Sequence, residues 1–141
     1  MITDINELIN EFENNYNYTN ILNYKNIIEK YIGDDWKKYI VDSNEPFNKN
    51  KIYVSDNFEI VLISWEKDYI TPLHKHPKNG CILKILDGML SETIINDDKI
   101  KNNIYLTNNI SYMHDIMGLH KIKALEKTYS LHIYSPPNFY N

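Results

Sequence analysis

From residue 58 onward the sequence breaks into short β-rich apolar runs. They are FEIVLISW (58–65), CILKILDGMLSETII (81–95), IYLTNN (104–109), ISYM (110–113) and TYSLHIY (128–134). Clusters of Asn, Asp, Gly and Pro separate them at short intervals. β-Branched and aromatic residues suit a pleated surface, and the turn residues between them reverse the chain repeatedly. The second run carries Asp87-Gly88 in its middle, which reads as two strands joined by a tight hinge. Several short strands with such punctuation predict an all-β barrel or sandwich over residues 46–141.

Residues 1–45 follow a different period. Ile5, Leu8, Ile9 and Phe12 fall three and four apart, with Thr3 or Asp4 as the N-cap. Ile21, Tyr24, Ile27, Ile28 and Tyr31 repeat the spacing and end near Gly33, and Trp36, Tyr39 and Ile40 suggest a short third helix. These stripes are the buried faces of a small helical cap. No repeat, linker or low-complexity tract interrupts the 141 residues, so one domain is expected.

Composition removes several function classes. Hydrophobic residues make up 43% of the chain, enough for one core, and the net charge of -4 comes with no basic stripe. Nucleic-acid binding therefore lacks electrostatic support. No apolar run approaches the ~20 residues that span a bilayer. The first ten residues carry Asp4 and Glu7 and resemble no signal peptide. A single cysteine, Cys81, forms no internal disulfide, which suits a reducing cytoplasm. Of the four glycines, Gly80, Gly88 and Gly118 lie close to histidines, where tight turns are expected.

The chemistry concentrates in PLHKHPKNGCILKILDG (72–88). His74 and His76 stand at i and i+2, which on a strand puts both imidazoles on one face. His120, after Gly118-Leu119, supplies a third imidazole from a neighbouring strand. Three histidines on Fe, Zn, Cu or Ni leave positions open, as catalysis requires. The pair alone is a weak signal, since a polar strand face gives the same pattern. His114, beside Asp115 in an expected turn, reads as surface. Ser130, His132 and Tyr134 share one face of a strand. They form either a hydrogen-bonded relay or a polar face whose groups satisfy one another. Cys81 is open to four readings: metal ligand, nucleophile, redox thiol or small core residue.

The pattern H-x-H-x4-C-x6-G resembles the first cupin motif, with cysteine in the place usually held by a metal-binding glutamate. In that feature it is similar to the cysteine dioxygenases, thiol dioxygenases that oxidise L-cysteine to cysteine sulfinate. GLHKI (118–122) resembles the family's segment around its third iron-binding histidine, and YSLHIYSPP (129–137) its Ser-Leu-His-x-Tyr-Ser-Pro-Pro signature. Upstream, DDWKKY (34–39) and the spacing from Trp65 to His74 also fit. The resemblance covers nearly the whole chain. It implies a mainly β cupin fold, a double-stranded β-helix or jelly-roll barrel with a small N-terminal helical cap. It implies Fe(II) held by His74, His76 and His120. It also implies catalytic roles for Tyr134, His132, Ser130 and Cys81, with Cys81 and Tyr134 as the pair joined by a thioether in many members. Ser135-Pro136 matches a cis peptide bond.

Two positions depart from the family. Lys49 stands where the carboxylate-binding arginine falls, and Phe47 where a tyrosine is usual; Ile63 completes the expected substrate-binding set. Lysine offers a compact charge in place of a planar fork. The chain contains no arginine at all, so the change is either compositional drift or altered specificity. Gly80 stands where vertebrate-type members carry a histidine. Longer members continue with further strands after the Ser-Pro-Pro signature, so a more open pocket, or one closed by a neighbouring subunit, is expected here. The expected activity is conversion of L-cysteine and O2 to cysteine sulfinic acid by a monomer or weak homo-oligomer. The alternatives are the same chemistry on another small thiol carboxylate such as 3-mercaptopropionate, and a non-catalytic metal-binding cupin.

Overall fold

A computed structural model describes residues 1–15, 21–114 and 117–140. Eight strands follow a short helical region: β1 (Phe47–Val54), β2 (Glu59–Trp65), β3 (Gly80–Asp87), β4 (Met89–Asn96), β5 (Lys99–Leu106), β6 (Ile110–Met113), β7 (Leu119–Ala124) and β8 (Thr128–Ser135). They pair into a five-stranded sheet, β1-β2-β8-β3-β6, and a three-stranded sheet, β5-β4-β7. Every strand pairing within the two sheets is antiparallel. The hinge at Gly88 is real: its φ is +120°, and a Cβ there would meet Thr128 Oγ1 at 2.3 Å. Only glycine fits that combination of left-handed backbone and close approach.

The larger sheet is buried on both faces. Its outer face, with Ile60 and Leu62 of β2, Ile82 of β3, and Leu131 and Ile133 of β8, packs under the helical region. Its inner face, with Val61, Ile63, Trp65, Cys81, Leu83 and Tyr134, packs against Leu90, Ile122 and Ala124 of the smaller sheet. Strands covered on both sides lose the apolar–polar alternation, which is why FEIVLISW reads as one apolar run.

The helical region is less regular than its periodicity predicts. The helix α1 (Ile5–Asn15) buries Ile5, Leu8 and Phe12, as expected. Asp4 caps it: its Oδ1 accepts the Glu7 N–H at 2.7 Å. The second stripe is a 3-10 turn (Ile21–Tyr24) followed by a six-residue helix, α2 (Lys25–Lys30). It stops at Lys30 rather than near Gly33. Tyr31 forms a parallel bridge with Ile2, and the Ile32 N–H donates to the Ile2 carbonyl at 2.9 Å. The freed carbonyls at the helix end are taken by Lys84, a buried lysine on β3. Its Nζ donates to the carbonyls of Ile28, Glu29 and Tyr31 at 3.3, 3.4 and 2.6 Å. The expected third helix is a single 3-10 segment (Asp35–Tyr39) that buries Trp36.

Candidate metal centre and adjoining pocket

Two prolines shape the stretch that carries His74 and His76. Pro72 and Pro77 lack the N–H that a strand ladder needs, and residues 72–79 form no regular strand. This corrects the expectation of a strand there, yet the side chains still converge. His74 makes one isolated antiparallel bridge with His120, through backbone contacts of 3.0 and 3.3 Å. Cross-strand partners present their side chains to one face. The ring centroids of His74 and His76 lie 4.3 and 4.0 Å from that of His120. The candidate ligand atoms of all three lie within 4.8 Å of one another, close enough for one metal ion.

The proton positions follow from the partners. His74 Nδ1 lies 2.9 Å from the Pro72 carbonyl, which only accepts, so Nδ1 carries the proton. His120 Nδ1 lies 2.7 Å from Glu92 Oε2, and the same logic applies. The two Nε2 atoms therefore both present lone pairs, and they are 2.7 Å apart. A contact that short between two imidazole nitrogens is satisfied by a proton or a metal cation between them. The donor set thus fits a metal on chemical grounds. His76 and His120 are buried, and His74 is half-buried. Burial, with the neighbouring imidazoles adding to it, lowers the pKa of His74 to about 4 and that of His76 to about 3. Both imidazoles are thus neutral and competent as ligands at neutral pH.

Glu92 was not singled out by sequence reasoning. It sits on β4 between Leu90 and Ile94, on the inward face, and is 2% exposed. Its Oε1 accepts the Tyr105 hydroxyl at 2.9 Å while Oε2 holds His120. A carboxylate on an otherwise apolar inward stripe was the available signal. Such a carboxylate fixes the tautomer and orientation of a ligating histidine.

A second constellation lies on β8, whose inward face carries Ser130, His132 and Tyr134. The Trp65 Nε1–H donates to Ser130 Oγ at 2.8 Å. Ser130 Oγ lies 2.7 Å from His132 Nε2, and His132 Nδ1 lies 3.0 Å from the Tyr134 hydroxyl. The expected series is present as one continuous chain, extended by Trp65. Burial holds the His132 pKa well below its ordinary value and pushes that of Tyr134 well above. Cys81 on β3 is paired in register with Tyr134. Burial raises the Cys81 thiol far above its usual range, so it stays protonated.

These groups surround a cavity of about 170 Å³, sized for a small molecule. All three candidate metal ligands line it, with Cys81, His132 and Tyr134. Phe47, Lys49 and Ile63 line it too, and Lys49 pairs with Ile63 across β1 and β2. Ser130 is fully buried behind His132 and reaches the cavity only through it. Burial lowers the Lys49 pKa. Tyr140, which sequence reasoning missed, lies over the cavity, with its ring 5.7 Å from His74 and 5.0 Å from Tyr134. His114 is half-buried, not surface, and Asp115 lies outside the described residues. The Ser135–Pro136 bond is cis.

The Cysteine dioxygenase type I family profile matches residues 2–140. The chain belongs to that family. It is 27% identical over 90 residues to cysteine dioxygenase type 1 from Danio rerio, covering 60% of this chain and 45% of that protein. It therefore spans less than half the length of that curated relative. Among solved structures, KdgF from a Halomonas species superposes with a TM-score of 0.61 at 12% identity, over 73% of this chain and 91% of that one. A conserved protein of unknown function from Streptococcus pyogenes gives 0.59 at 17% identity, over 74% and 86%. A cupin superfamily protein from Desulfitobacterium hafniense gives 0.57 at 14% identity, over 68% and 82%. The fold is thus a cupin, mainly β with a short helical region at its start. Among the described residues no helix is long and apolar enough to cross a membrane.

Proposed function

We propose that this protein is an Fe(II)-dependent thiol dioxygenase that converts L-cysteine and O2 to cysteine sulfinic acid. The observation that carries the reading is the convergence of His74, His76 and His120, with candidate ligand atoms within 4.8 Å of one another, in the cavity that Tyr134 and Cys81 also line. His74, His76 and His120 would hold the iron, and a set of three neutral imidazoles suits an anionic thiolate partner. Iron there would supply the redox-active centre that lets a closed-shell thiol react with triplet O2, a reaction the two do not manage unaided. Overall, R–SH and O2 give R–SO2H, with both oxygen atoms retained on sulfur.

The chain's own residues account for the rest. Lys49 offers the substrate carboxylate a positive charge. Tyr134, kept protonated by burial, offers a hydroxyl proton into the cavity, and His132, Ser130 and Trp65 hold it in place behind. Buried Trp65, with the half-buried rings of Phe47 and Tyr69 packed on it, forms an aromatic wall that limits water at the site. Cys81, neutral and buried, does not compete as a thiolate for the metal. In this reading it forms a thioether with the Tyr134 ring during turnover, with O2 taking up the two hydrogens lost, and so fixes that ring.

The test is oxygen consumption by Fe(II)-loaded protein supplied with cysteine, with sulfinate identified as product. Uptake of O2 with other thiols but not with cysteine would move the substrate assignment. A second reading, the same chemistry on a thiol carboxylate without an amino group, draws on one feature. The described cavity lining contains Lys49 but no carboxylate to pair with a substrate ammonium. Relative kcat/KM for cysteine, 3-mercaptopropionate and cysteamine separates the two. Metal binding with no thiol-dependent O2 uptake at all would instead mark a non-catalytic cupin. The reading further takes the protein as a single cytoplasmic domain acting on small molecules.

A further inference from the structure

A lysine is a poor substitute for a fork-shaped carboxylate receptor unless something restrains it. Its stem is flexible, and holding it in one place costs rotamer entropy. In this structure the restraint is aromatic. Lys49 Nζ lies 4.8 Å from the ring centroid of Tyr140 and 5.6 Å from that of Phe47. Both distances fall within cation–π range.

Tyr140 is itself fixed from several directions. Its hydroxyl donates to the carbonyl of Lys75, the residue between His74 and His76. Its ring meets those of Tyr134 and His74 edge-on, in the geometry aromatic pairs favour. Two residues earlier, the Asn138 N–H donates to Glu59 Oε2 at 2.9 Å, and Lys51 Nζ donates to Asn138 Oδ1 at 2.7 Å. Lys51 also pairs with Glu59 at 3.3 Å. The segment is thus tied to β1 and β2 on one side and to the histidine loop on the other.

We propose that Tyr140 is the specificity-determining residue of this pocket: its ring, tied to the histidine loop, holds the Lys49 ammonium at a set reach from the three histidines and so selects short carboxylate-bearing ligands. This deepens the thiol dioxygenase reading and rests on it for the thiol end of the ligand. The carboxylate end rests on Lys49, Phe47 and Tyr140 alone. The ring face carries the effect, and the hydroxyl serves as a tether.

The experiment is anaerobic calorimetry on iron-loaded protein with three probes: 3-mercaptopropionate, cysteamine and propionate. Cysteamine has the thiol without the carboxylate, and propionate the reverse. Tyr140→Ala is expected to weaken 3-mercaptopropionate and propionate about tenfold while leaving cysteamine within about twofold. Tyr140→Phe, which keeps the ring, is expected to stay within about threefold of the parent for all three. Lys49→Met should reproduce the Tyr140→Ala pattern, and the double variant should lose no more than either alone, because both changes remove one interaction. Equal losses for cysteamine and 3-mercaptopropionate in Tyr140→Ala would reduce Tyr140 to a structural role and overturn the proposal. Unchanged propionate binding in that variant would overturn it as well. If the parent binds propionate as tightly as 3-mercaptopropionate, the thiol reading fails, while the propionate series still decides the role of Tyr140.

Discussion

Cys81 and Tyr134 are cross-strand partners: the β3–β8 register sets them directly opposite, both facing the cavity between the sheets. Opposed residues in an antiparallel pair bring their Cβ atoms to about 5 Å. The thiol is buried and protonated, so it is inert until an oxidant reaches the pocket. Turnover with iron and O2 is expected to join Cys81 Sγ to a Tyr134 ring carbon, with O2 taking up the two hydrogens lost. The intact mass should fall by two hydrogens, and digestion should yield the two peptides linked. Cys81→Ala should abolish the mass change and leave catalysis reduced but present. A mass unchanged after many turnovers would remove the cross-link from this protein.

The Tyr134 hydroxyl is the polar end of a chain that begins at Trp65. Tyr134→Phe removes the proton donor without changing the ring's packing. The expected loss is on the order of 10²-fold in kcat, the size typical for a positioned proton-transfer group, with KM moved less. Ser130→Ala acts only through His132, so its loss should be smaller. Steady-state O2 uptake on both variants checks the order; a larger effect for Ser130→Ala would contradict it.

How much of this was visible beforehand follows from what each residue faces. β8 was legible because its inward residues are polar and its outward ones apolar. Ser130, His132 and Tyr134 therefore alternate with Leu131 and Ile133, which the helical region covers. β1 was hard to see as a strand: at the sheet edge, FNKNKIYV carries four polar residues in a row and no fully buried position. β7 was seen only as the carrier of His120: its buried face is just His120, Ile122 and Ala124, with Lys121 and Lys123 on the other side, a strand too short to stand out as an apolar run. The cap was placed correctly, but its 3.6-residue period did not reveal where α2 stops. That end is set by the bridge to Ile2 and by Lys84, contacts far away in sequence. Glu92 and Tyr140 were missed for the same reason. Each matters through partners 28 or more residues away, His120 for one and Lys75 for the other.

Buried neutral imidazoles make the metal-free protein sensitive to acid. Unfolded histidines titrate near ~6.5. In the fold His74 is lowered to about 4 and His76 to about 3, and His132 is well below its ordinary value. Between those values and ~6.5 the unfolded chain binds more protons than the folded one, so stability rises with pH across that window. The stabilising share is complete above ~6.5 and is lost as pH falls toward ~4. Urea midpoints of metal-free protein should therefore fall steadily from pH 7 to pH 5, before most carboxylates titrate. A flat midpoint over that range would mean these imidazoles are solvated.

The bond between Glu92 and His120 sets the last expectation. The carboxylate accepts the Nδ1 proton at 2.7 Å and so leaves Nε2 as the donor atom aimed at the site. Tyr105 holds the other oxygen, so the carboxylate that orients His120 is itself fixed. Glu92→Gln keeps the size and can still accept the proton, but it removes the charge. Iron affinity, read by competition with a chelator, is expected to fall about 10- to 100-fold. Tyr105→Phe, which leaves the charge in place, should cost less. Glu92→Gln with unchanged affinity would mean that the orientation of His120 is held by its backbone bridge to His74 instead.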